Sequence, residues 1–137
     1  MDLQPARLLL VHGTIVVLLG LLAGLPYWWT IIRKHSRETS RAWRVAHATV
    51  TLTGVLMLAV GLLYGFADLD ASLRSLLQVA FILSGYSFAF ALTIGALTGR
   101  RALLPSANAL DVLLFGGHLM GAAGAIVGTG LLLCGLL

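Results

Sequence analysis

The segment AWRVAHATVTLTGVLMLAVGLLYGF, residues 42–66, carries one charged side chain, Arg44, and shows no sustained period-two alternation. At about 1.5 Å per residue it makes a helix of about 37 Å, enough to cross a hydrocarbon core of about 30 Å. A barrel strand needs only about 10 residues and alternates, so a membrane helix is the reading that fits. His47 then lies about one turn inside the membrane surface, below an interfacial Trp43 and Arg44. An imidazole at that depth calls for a partner, and a metal or a haem iron is one candidate.

Working outward, three further stretches have the same character. Residues 8–32 form a first span that ends in the aromatic group Tyr27, Trp28 and Trp29, with Pro26 expected to kink or end its tail. Residues 73–98 form a third, preceded by Asp70 or Ser72 as a cap and closed by Gly99. Pro105 and Ser106 turn the chain into a fourth span, residues 107–136. The expected fold is an all-α integral membrane protein of four antiparallel transmembrane helices, an up-down bundle, as a single domain over 1–137.

Composition agrees. Of the 137 residues 59% are hydrophobic and 10% charged, with a mean hydropathy of +0.98. Soluble domains carry about 25% charged residues, so this chain lacks the polar surface of a water-facing globule. Its net charge of +4 comes from basic residues in loops beside apolar runs, a lipid-facing pattern that excludes nucleic acid as a partner. Arg33, Lys34, Arg37 and Arg41, with Arg44 adjacent, follow the first span, and Arg100 and Arg101 follow the third. The second loop sets Arg74 against Asp68 and Asp70. The positive-inside rule therefore puts loops 33–41 and 99–106 in the cytoplasm and both termini outside, against a contrary Arg7, in what reads as a bacterial inner membrane. The single Cys134 supports neither a disulfide framework nor a cysteine-based metal site.

The candidate chemistry is sparse. His47 shares its helix face with Val50, Thr51, Gly54, Leu58 and Gly61, a small or apolar stripe that reads as a slot for a flat ligand. Two readings stand for His47: an axial ligand, or a ring that hydrogen-bonds a neighbouring helix. His118 and Asp111, seven residues apart, share a face of the fourth helix. His118 either touches a cofactor edge or bonds a carbonyl. Asp111 either orients a ligating imidazole or pairs with Arg44, or it serves only the dipole of its helix. His12 differs from His47 in depth by about 15–20 Å, so the two do not clamp one iron within a subunit. His35, in the basic loop, is read as solvated. Tyr86, one of the polar or small positions of the third helix with Gln78, Ser84, Gly85, Ser87 and Thr93, is a candidate to hydrogen-bond a substrate oxygen. The G-x-x-x-G pairs 20/24, 117/121 and 124/128 suit close helix packing. Neither a Ser-His-Asp set, nor a P-loop, nor a close carboxylate pair is present.

His12-Gly13, Trp43-x-x-Ala46-His47, Leu83-x-Gly85 and Asp111 together resemble the styrene oxide isomerase family over about residues 10–130. The resemblance implies a homotrimer in which haem b sits between subunits with His47 as its axial ligand. Trp43, Thr51 and Gly54, with His118 and Asp111, are then the other residues expected near the cofactor. The resemblance also implies that ferric iron acts as a Lewis acid on a small lipophilic epoxide, giving an aldehyde by a Meinwald rearrangement without net redox change. Where the family keeps an Asn, an Asp and a substrate-facing Tyr, this chain has Thr53, Ser84 and Leu92. Thr53, Ser84 and Tyr86 are thus its candidates for orienting a substrate. A haem-binding sensor, carrier or electron-transfer protein, and a haem-free accessory membrane protein, are the alternative functions.

Overall fold

The computed structural model describes residues 4–104 and 106–137. They form four long helices, α1 (Gln4–Ile32), α2 (Arg37–Leu63), α3 (Ala71–Thr98) and α4 (Ala109–Leu136), with a 3₁₀ turn at Tyr64–Phe66 after α2. All four are long and apolar enough to cross a membrane. The turn expected at Pro105 falls outside the described residues.

The helix boundaries follow local chemistry. The Ser36 side chain accepts a hydrogen bond from the Thr39 backbone N–H, so α2 starts at Arg37, five residues before the apolar run. Apolar patterning alone does not show such a start. Asp70, not Ser72, caps α3 by accepting from the Leu73 N–H at 2.9 Å. Asn108 does the same for α4 through Leu110. Gly99 ends α3 with φ 68°, a left-handed turn that costs glycine little. Lys34 adopts φ 52° without that freedom, and the α1–α2 connection closes within residues 33–36. Helix α1 runs past Pro26 to Ile32 rather than ending there, because one missing N–H removes only one helical bond.

Glycine sets the packing between helices. A Cβ placed on Gly13 would meet Leu58, one on Gly20 would strike the backbone of Thr51, and one on Gly24 would meet His47. Position rises on α1 as it falls on α2, so these two helices run antiparallel with their backbones nearly touching. The same holds for α3 and α4: Gly117 lies against Ala91, Gly121 against Phe88, Gly124 against Ala80 and Ser84, and Gly128 against Phe81. All three G-x-x-x-G pairs are therefore helix contacts within one chain.

Helices α1, α2 and α3 enclose the main core of Leu9, Val16, Val50, Met57, Leu77 and Phe81. Helix α4 lies along α3, and its end is tied to the α2–α3 loop by the Asp68 N–H donating to the Gly135 carbonyl at 2.7 Å. From the first turn of α3, Arg74 donates to the carbonyls of Leu69 and Ala67 in that loop and, among the described residues, pairs with no aspartate. A second cluster of Ala23, Trp43, Ala46 and Ala96 fills the basic end of the molecule. Trp43, expected at the interface, is only 7% exposed and belongs to this core, whereas Trp28 and Trp29 stay exposed where a belt is needed.

Candidate functional site

His47 is held from across the α1–α2 contact. Its Nδ1 lies 2.8 Å from the carbonyl oxygen of Gly20. A carbonyl oxygen only accepts, so Nδ1 carries the proton and donates it. In the neutral ring Nε2 then keeps its lone pair, and it makes no hydrogen bond among the described residues. The imidazole packs at Gly24, where a Cβ would come within 3.1 Å of Nδ1, and its plane runs nearly parallel to Tyr27 at 20° and 6.5 Å between centroids. The sequence reading missed Gly20 and Tyr27. The signal for Gly20 was present as the Gly20/Gly24 pair, since a helix without side chains offers its carbonyls to a neighbour.

The stripe below His47 is not a slot for a ligand. A Cβ on Gly54 would lie 2.5 Å from the Val17 backbone N and 2.9 Å from the Gly13 carbonyl, and Gly61 packs on Leu10. Helix α1 fills that space, because both helices are smooth there and close on each other. Gly54 is therefore a packing residue between α1 and α2. Thr51 sits at the margin of the same contact beside Gly20, and its Oγ1 is buried without a hydrogen-bond partner among the described residues. His47 is half-buried at the edge of the contact, next to the outer side of α2 on which Arg44, Ala48 and Val55 are exposed.

The other candidates lie elsewhere. Asp111 accepts hydrogen bonds from Arg100 at 2.8 Å and from Ser106 at 2.8 Å, so it pairs with neither Arg44 nor His47 and closes the α3–α4 loop. Its place in the first turn of α4 also suits the helix dipole. His118 lines a cleft of about 210 Å³ with Arg41, Arg100 and Arg101, away from the residues that touch His47. Ser84 is fully buried and donates to the Gly121 carbonyl at 2.6 Å; Thr53 donates to the Thr49 carbonyl of its own helix at 2.8 Å. Both hydroxyls are thus committed to backbone. Tyr86 meets His12, oxygen to Nδ1 2.9 Å, with the rings edge to face. It lines an apolar groove of about 540 Å³ between α1 and α3, together with Leu19, Leu22, Trp43, Phe90 and Thr93. His12 and His47 have different partners, Tyr86 and Gly20 respectively.

The family model of styrene oxide isomerase matches residues 5–137. The chain belongs to the styrene oxide isomerase family. No curated protein and no solved structure matches it. Membership in the styrene oxide isomerase family covers all four helices and with them His47, its Gly20 partner, and the Tyr86–His12 pair.

Proposed function

We propose that this chain is a haem-b-dependent membrane isomerase that converts a small lipophilic epoxide into a carbonyl compound. The observation that carries the reading is the Nδ1–H of His47 donated to the Gly20 carbonyl. A ligating histidine commonly gives its second ring proton to a carbonyl or carboxylate, which fixes both tautomer and ring orientation. The residues present therefore fit an axial ligand at Nε2. When bound there, ferric haem b supplies a Lewis acid toward an epoxide oxygen.

The remaining steps belong to the protein. Gly20 and Gly24 let the imidazole lie against α1, and the Tyr27 ring limits its rotation from one side. The apolar groove beside Tyr86 suits an uncharged substrate and keeps water scarce, which strengthens any polar contact made inside it. In the tautomer in which His12 Nδ1 donates to the Tyr86 oxygen, the phenol O–H is free to orient an epoxide oxygen.

The groove and His47 lie on opposite shoulders of α1, since Leu19, Leu22 and Pro26 face one side and Gly20, Gly24 and Tyr27 the other. A head-to-tail ring of copies would bring the groove of one to the His47 of the next, an arrangement compatible with the homotrimer implied by the family resemblance. In the cell we place the protein in the bacterial inner membrane with the basic loops cytoplasmic.

Purification in detergent after expression with ample haem tests the proposal. A Soret band that His47→Ala abolishes and His35→Ala keeps is the expected result, with aldehyde formed from an aryl epoxide in the ferric state and not after reduction. Absence of the band in the unmodified protein removes the proposal. A bound haem that turns over no epoxide leaves a sensor or electron carrier as the function.

A further inference from the structure

We propose that the cup of basic side chains at the α1–α2 turn binds the phosphodiester headgroup of an acidic membrane phospholipid. This inference does not require haem to be bound, although Tyr27 borders both the cup and the His47 ring. The cup measures about 520 Å³ and is lined by Lys34, Arg37, Arg41 and Arg44 together with Ser40 and Tyr27.

Its charge is uncompensated. Arg100 pairs with Asp111 and Arg101 with Glu38, but among the described residues no carboxylate forms an ion pair with any of the four cations of the cup. Like charges gathered around one concavity repel one another, and an anion inside it relieves that repulsion. The four sit on the turn and the first two turns of α2, so the short connection and the Ser36 cap hold them together. The Ser40 and Tyr27 hydroxyls make no hydrogen bond among the described residues, so both can serve the non-bridging oxygens of a phosphodiester.

Position selects a lipid over free phosphate. Ile31 lines the cup and is 54% exposed, and Trp28 and Ile32 beside it are exposed as well, an apolar flank along which an acyl chain can run. Arg33 stacks over Trp29 at 4.6 Å, a pairing suited to the headgroup level of a bilayer. Cation above and apolar flank below is the pattern of an amphiphile with an anionic head.

The test uses the full chain in neutral detergent, titrated with phosphatidylglycerol or phosphatidylcholine and read by native mass spectrometry. We expect phosphatidylglycerol to bind about tenfold more tightly. Arg41→Gln with Arg44→Gln should abolish that preference, and Arg41→Lys with Arg44→Lys should keep it. Arg33→Gln with Arg101→Gln removes the same charge outside the cup and should also keep it. Equal binding of the two lipids by the unmodified chain, or equal loss in both glutamine pairs, overturns the site. Displacement of the bound lipid by millimolar inorganic phosphate overturns the lipid assignment, because the acyl chain would then contribute nothing.

Discussion

The Nδ1 of His47 and the carbonyl oxygen of Gly20 stand 2.8 Å apart across two helices, 27 positions apart in the chain. Gly20 serves this contact twice, by offering its carbonyl and by having no Cβ. We expect Gly20→Ala to push α1 from α2, since the new methyl strikes the Thr51 backbone N and Oγ1. Overpacking of this kind costs about 1–3 kcal/mol, to be read as a lower midpoint of thermal unfolding in detergent. If His47 binds haem, the same variant should lose affinity about 10–100-fold through its displaced second ring bond, measured by haem titration.

The α3–α4 contact offers an internal comparison. Gly124→Ala sets a methyl 2.6 Å from the Ala80 carbonyl and should destabilise the protein, whereas Gly130→Ala meets nothing within 4 Å. The second change should be neutral or stabilising by up to about 1 kcal/mol, because alanine favours a helix over glycine. Equal midpoints for the two variants would contradict the stripe as a contact.

Ser84→Ala deletes the 2.6 Å bond to the Gly121 carbonyl at a fully buried position. The carbonyl keeps its own helical bond, so we expect a loss of only about 0.5–1.5 kcal/mol and, if the chain binds haem, an unchanged haem spectrum. Tyr86→Phe should cost a similar amount by leaving His12 without its phenol partner, and should in addition lower kcat/KM for an epoxide if the phenol orients substrate. Steady-state turnover of both variants separates the two roles.

Asp111→Asn breaks the ion pair with Arg100, whose side chain is 42% exposed against 19% for the aspartate. At that exposure water and salt screen the pair, and the loss in unfolding midpoint should be small. Raising the salt concentration should narrow the gap between variant and parent unfolding midpoints.

The fold was legible because length and apolarity decide it: segments such as 42–66 have no stable option in lipid other than a helix. The boundaries were less so, as with Arg37, which a single Ser36 cap recruits into α2 from a polar stretch. At the site, His47 stood out as an imidazole in an apolar run, yet its partner did not. A backbone carbonyl has no residue type to announce it, and whether Gly54 faced a cofactor or another helix depended on how closely α1 approaches. Asp111 went to Arg100 instead of Arg44 for a comparable reason: the loop folds Arg100 back over the start of α4, a geometry that spacing does not encode.

The groups that set the His47 ring, Gly20, Gly24 and Tyr27, all precede it on the first hairpin. Orientation of the imidazole therefore asks nothing of α3 or α4, whose contacts lie on other faces. The first hairpin by itself thus contains the contacts that fix the tautomer and direction of the ring, and the later helices pack onto an imidazole already oriented.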